Sequence, residues 1–149
     1  MGQVMYVDEH NVATLGPGPA LRFGRVRCRV DRDEAGNPTG LTLIEFPGLA
    51  VASDHRPAGW TVFLTPRWTL VVCRYRPHED GWVVGTVRRF RSLEALRAAP
   101  VTAGEAPIPV EVLAEAEERM AALYGESIPN DFERIPAELG ASAWRHLDV

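Results

Sequence analysis

Along the first ninety residues the apolar positions fall at every second residue or in short runs, cut by Gly, Pro, Asn and Asp. Over the last sixty they recur at spacings of three and four. The first pattern predicts strands and turns, the second helices. Residues 4–7 and 12–15, on either side of a polar corner at 8–11, read as a hairpin closed by Gly16-Pro17-Gly18-Pro19. Between 21 and 30 the apolar parity changes: Leu21 and Phe23 share one face, Val26, Cys28 and Val30 the other. A bulge near Gly24 would reconcile the two halves. Residues 33–40 form a turn signal and 41–46 a returning strand, which Pro47-Gly48 should end before a further short run at 49–52.

The strongest strand pattern runs from Trp60 to Phe90, with a tight turn at Thr65-Pro66-Arg67-Trp68 and a longer one at Pro77-His78-Glu79-Asp80-Gly81. Three antiparallel strands follow, at about 60–65, 68–76 and 82–90. Pairing Thr65 with Trp68, and Tyr75 with Val83, places Trp60, Val62, Leu64, Val71, Cys73, Tyr75, Val83 and Val87 on one face. The other face receives Phe63, Trp68, Leu70, Val72, Val84 and Phe90, interrupted by Arg74, Arg76 and Arg88. A solvated face would alternate cleanly to polar residues, so both faces should be at least partly covered.

Helices are the candidates to cover them. Ser92 is placed to cap a short helix at 93–99 that Pro100 ends. The amphipathic stretch 109–124 carries Val112, Leu113, Ala116, Met120, Leu123 and Tyr124 on one stripe and Glu111, Glu115 and Glu118 opposite, with Gly125 as its stop. Such a helix spans roughly 24 Å, enough for one face of a three- to four-stranded sheet. Pro129 and Pro136 divide the tail into short helical pieces, with Trp144 and Leu147 as anchors.

The order of strands then helices predicts one α+β domain over 1–149: an antiparallel sheet of five to seven strands within 3–90, followed by C-terminal helices. The alternative is a small, partly open β-barrel with appended helices, because seven short strands can curl. A chain of 149 residues is long enough for a continuous core.

Charge changes the picture in one respect. All 16 basic residues are Arg, and the absence of Lys removes Schiff-base and phosphate-loop lysine chemistry. Residues 1–97 hold 13 Arg against 10 acids, a net of +3, whereas 98–149 hold 3 Arg against 10 acids, a net of −7. A mildly basic body thus joins an acidic third, within a net charge of −4. No secretory leader or membrane span is visible, and the two cysteines, Cys28 and Cys73, lie in apolar strands as reduced thiols, which points to the cytoplasm.

Four constellations could carry chemistry. The apolar-plus-Arg sheet face (Phe63, Trp68, Leu70, Val72, Arg74, Arg76, Trp82 and Arg88) suits a homodimer or protein-partner interface, since Trp, Phe and Arg are enriched there. Arg25, Arg27 and Arg29, alternating on one strand, together with Arg74, Arg76 and Trp82, could hold single-stranded nucleic acid through phosphate forks and base stacking. None of the RNA- or DNA-binding motif strings occurs, however. A hydrolase-like site would need His10, His55, His78, Asp54 and Glu79 to converge from separate loops, and Ser53 beside Asp54-His55 is suggestive by composition only. The acidic helix 109–126 could dock a basic partner but is ordinarily a solvated face. No metal-ligand spacing, phosphate-loop or GxGxxG string is present, so neither metal nor cofactor is expected and no residue is assigned a catalytic role. The leading expectation is a non-catalytic cytoplasmic interaction or regulatory module, with single-stranded nucleic-acid binding second and a small enzyme third.

Overall fold

A computed structural model describes residues 5–7, 12–15, 21–54, 59–77, 83–100, 107–130, 132 and 145–149. A hairpin of β1 (Met5–Val7) and β2 (Val12–Leu15) precedes five strands that follow one another as a meander. These are β3 (Gly24–Arg32), β4 (Pro38–Ser53), β5 (Trp60–Leu64), β6 (Leu70–Pro77) and β7 (Val83–Phe90), each antiparallel to the next. In a meander of five, the first and last strands must run the same way. Closure therefore requires a parallel pair, and β7 meets β3 in parallel at Val30 and Gly85. Among the described residues the molecule is mostly sheet, with a closed five-stranded mixed barrel and two helices. The expected antiparallel sheet is thus replaced by the barrel alternative, closed rather than partly open.

The long strand β4 makes closure possible. Its first half pairs with β3 as far as Gly48, and its second half pairs with β5 from Leu49 onward. Pro47-Gly48, expected to end a strand, instead lies within β4 at the point where it changes partners. Proline lacks an N–H to lose, and glycine admits close backbone approach. A Cβ on Gly48 would lie 3.1 Å from Phe46 and from Val26.

Alternation along β3 sends Val26, Cys28 and Val30 into the barrel and Phe23, just before it, to the outside, where it is buried in a second core. No bulge at Gly24 is needed, because both faces of β3 are used. The register shift in β3 falls instead between Val30 and Arg32. Inside the barrel these residues meet Ile44, Phe46, Phe63, Val71, Cys73 and Val87. Each such side chain contributes roughly 1.5–3 kcal/mol on burial.

One turn overturns half of the expected face assignment. The β5–β6 loop holds three residues between Thr65 and Thr69, and Trp68 adopts φ 61 there. A three-residue loop whose last residue is left-handed pairs Leu64 with Leu70 and Val62 with Val72. That is one residue away from the expected register, and a one-residue slip moves every side chain of a strand to the opposite face. Phe63 therefore points into the barrel, while Val62 and Leu64 point outward. Between β6 and β7 the observed pairing, Tyr75 with Gly85, differs from the expected one by two residues, which preserves the faces.

The outward face is covered by helices, as its pattern required. Ser92 caps α1 (Leu93–Ala98), its hydroxyl accepting from Ala95 N at 3.1 Å. The longer α2 (Val110–Leu123) packs Val112 and Ala116 over Val51, Ala52, Val62, Leu64, Leu70 and Val72, with Leu96 of α1 beside them. Tyr124, expected on the apolar stripe, has left the helix and is 83% exposed. The expected short helical pieces of the tail fall largely outside the described residues; Arg145–His146 form β8, parallel to β4 at Ile44 and Glu45. Leu147 N then donates to Glu45 O at 2.8 Å, and Leu147 and Val149 pack against the barrel core. Trp144, the other expected anchor, lies outside the described residues. No helix among the described residues is long and apolar enough to cross a membrane.

Candidate functional site

The strand registers decide where the eight residues of the expected interaction face go. Phe63 is inside the barrel, and Leu70 and Val72 lie under the helices, so all three are core rather than surface. Trp68 is half-buried, with its ring edge-on to Tyr124 at 5.9 Å. Arg76 forms an ion pair with Asp31 of β3. Trp82 lies outside the described residues. Arg74 and Arg88 remain half-buried on the outer face of β6 and β7.

Those two arginines are held by rings. Trp60 stands opposite Arg74 across the β5–β6 ladder, and the guanidinium lies 5.1 Å from the indole centroid. Arg88 lies 5.0 Å from the ring of Phe90, two residues on along the same face, and reaches Pro100 O at 3.5 Å. Thr86 stands opposite Arg74, so Arg74 and Arg88 are diagonal neighbours on adjacent strands. Neither has a carboxylate partner among the described residues. The sequence reading missed Trp60, because the one-residue register error assigned it to the other face. The run Pro66-Arg67-Trp68 carried no local signal for the longer loop, because a bulky Trp is a poor residue type for the left-handed position it takes.

Arg25 and Arg27 of β3 are committed to the fold. Arg25 Nη1 donates to Glu45 Oε1 at 2.8 Å and Arg27 Nε to Glu45 Oε2 at 3.2 Å, with all three side chains only 11–16% exposed. Arg25 also lies 4.1 Å from the Phe132 ring centroid and donates to Phe132 O. Arg29 shares their face of the strand and is half-buried. The expected open row of phosphate-binding forks is therefore corrected: one glutamate neutralises two of the three.

The loop histidines His10, His55 and His78 and the acid Glu79 lie outside the described residues. Asp54 accepts from Trp60 N at 2.9 Å, Ser53 N donates to Glu115 Oε1 at 3.2 Å, and Thr61 donates to the Ser53 hydroxyl at 3.4 Å. These contacts tie the β4–β5 connection to α2. Half-buried Glu115, expected on the solvated side of α2, faces the sheet. Among the described residues no group of three or more His, Cys, Asp or Glu is gathered as metal ligands would be. Cys73 is wholly buried, and burial, followed by the neighbouring Cys28, pushes its thiol well above the ordinary 9.0. A protonated, enclosed thiol is a poor nucleophile.

No family model matches the chain, and neither curated proteins nor solved structures show a significant match to it. The surface itself is what remains: Trp60, Arg74 and Arg88 form a short aromatic and cationic strip beside the helices, flanked by the internally paired Arg76.

Proposed function

We propose that this protein is a non-catalytic interaction module that receives an acidic segment of a protein partner on the Trp60–Arg74–Arg88 strip. One observation carries the reading: two guanidiniums are positioned by aromatic rings and not by carboxylates. A ring beneath a guanidinium removes water from one of its planes and orients it. The in-plane N–H fork stays open to a carboxylate, the acceptor it matches bidentately. Half-buried Trp and Arg side chains are also the types that anchor interfaces. A short acidic segment fits better than an extended polyanion, because Arg25 and Arg27 are already neutralised by Glu45 and the exposed Glu111 and Glu118 of α2 would repel a long phosphate track. The two buried free thiols suit a reducing setting such as the cytoplasm.

The test is a titration of the full chain into a fluorescein-labelled, Glu-rich peptide, with a labelled oligothymidylate in parallel. Micromolar, salt-sensitive peptide binding is expected, weakened about tenfold in Arg74→Gln/Arg88→Gln and in Trp60→Ala. Preference for the oligonucleotide, or peptide binding indifferent to all three substitutions, overturns the reading. Sedimentation of the unliganded chain checks the variant in which the acidic segment belongs to a second copy.

A further inference from the structure

We infer that the mouth of the barrel is a binding site for a small carboxylate with an apolar body. Where the β3–β4 turn and the C-terminal strand β8 meet at one end of the barrel there is a cleft of about 460 Å³. That is within the roughly 300–1,000 Å³ of small-molecule sites. Its floor is apolar: Val30, Ile44 and Val87 rise from three barrel strands, and Leu147 closes one side.

Its rim is cationic. Arg32, Arg89 and Arg145 line it alongside two acids, Asp33 and Glu34. Both acids are occupied. Glu34 pairs with Arg89, which also donates through Nη1 to Asp148 O at 2.9 Å. Asp33 turns back on its own loop, its carboxylate accepting from Ala35 N at 3.0 Å and Asn37 N at 2.8 Å. Those donors, the Asn37 amide foremost, hold its carboxyl below the ordinary 3.8, so it stays an acceptor satisfied within the turn. Arg32 and Arg145 are left with no ion-pair or hydrogen-bond partner among the described residues.

The two halves of the cleft together select the ligand class. An inorganic anion would satisfy the guanidiniums and leave the apolar floor wet. A neutral hydrocarbon would cover the floor and leave the rim unpaired. A carboxylate on a compact apolar chain does both, with the head between Arg32 and Arg145 and the body over Val30, Ile44 and Val87. The floor of the cleft is built from inward-facing residues of β3, β4 and β7, whereas Trp60, Arg74 and Arg88 lie on the outer face of β5, β6 and β7, so the two sites are tested separately by different substitutions.

Octanoate serves as the probe, titrated calorimetrically into the full chain, with octyl alcohol and inorganic phosphate as comparators. Saturable one-to-one binding of octanoate is expected, about tenfold tighter than either comparator. Shifts should be confined to the methyl signals of Val30, Ile44, Val87 and Leu147. Arg32→Gln and Arg145→Gln, both at exposed side chains, should each weaken octanoate several-fold. Octyl alcohol binding as tightly as octanoate overturns the proposal on the wild-type chain alone. So does undiminished octanoate affinity in the folded double variant, or no saturation by roughly 10 mM.

Discussion

The sulfurs of Cys28 and Cys73 face each other at 3.8 Å in the middle of the barrel, with the Tyr75 hydroxyl 4.0 Å from Cys28. The strands β3 and β6 that carry them are not neighbours; the sulfurs meet because both strands turn these positions inward. The arrangement is two weakly hydrogen-bonding thiols and a phenol set among apolar side chains, and its consequence is pH-dependent. Burial raises the Cys73 thiol above 9.0 and the Tyr75 phenol above 10.0, in each case with the neighbouring thiols adding to the effect. A folded-state value above the unfolded one means that the folded chain holds its proton longer. The stabilisation is complete below the ordinary thiol value and is lost as pH rises past it. The urea midpoint should therefore be level through neutral pH and fall above about pH 9, less steeply in Cys73→Ala. Both thiols should resist a disulfide reagent until urea is added. A midpoint that is unmoved at about pH 10.5 contradicts this account.

A side chain at Gly48 is predicted to destabilise the barrel. An added Cβ meets Phe46 and Val26 at 3.1 Å and Phe63 Cβ at 3.3 Å, all within the barrel wall where β4 changes partners. Gly48→Ala should cost about 1–3 kcal/mol, the usual range for overpacking a close-packed core. Chemical denaturation gives the number, and Gly40→Ala is the contrast. Nothing lies within 4 Å of a Cβ at Gly40, so only its φ of +70 opposes the substitution.

Glu45 holds two guanidiniums with its two oxygens. Glu45→Ala leaves both without that acceptor in a half-buried site and should lower stability by about 1–3 kcal/mol. Glu45→Gln keeps one acceptor oxygen and should fall between. Equal stability of all three proteins by urea titration would show that the pair is merely solvated.

Trp68 sets two effects against each other. A bulky residue at φ 61 costs roughly 1–2 kcal/mol of backbone strain, which glycine would relieve. The same substitution removes a half-buried indole and its edge-on contact with Tyr124, a pair worth about 0.5–1.5 kcal/mol beyond the area it buries. Trp68→Gly should therefore be mildly destabilised, while Tyr124→Ala, which loses only the contact, should cost about 1 kcal/mol or less. A clearly stabilised Trp68→Gly would mean that strain dominates.

The sequence was most informative where the deciding interactions are local. The Ser92 cap, the helix expected at 109–124 and found at 110–123, and the strand expected at 82–90 and found at 83–90 were visible in capping chemistry, in three-and-four spacing and in alternation. The sheet face of Leu70, Val72 and Val84 could be seen to need cover, since too few polar residues interrupt it. Its cover by α2 withdrew Leu70 and Val72 from the expected interface, and the register moved Phe63 into the barrel. Within the candidate strip, Arg74 and Arg88 were legible as residues, but not their aromatic supports. Trp60 is fourteen positions from Arg74 and meets it only through the pairing.

What the sequence determined by itself is periodicity: which segments extend, which coil into helices, and which faces are apolar. It also set a chemistry without lysine, in which arginine carries every cationic side-chain role. Only the tertiary structure decided how those faces are used. One left-handed residue in a turn exchanged the two faces of β5, and the parallel pairing of β3 with β7, in register at Val30 and Gly85, completed the barrel. Glu45 cancelled two arginines that lie eighteen or more positions away. Register and closure depend on pairings between distant strands whose energies differ little from one register to the next. They are settled only when the whole core packs at once.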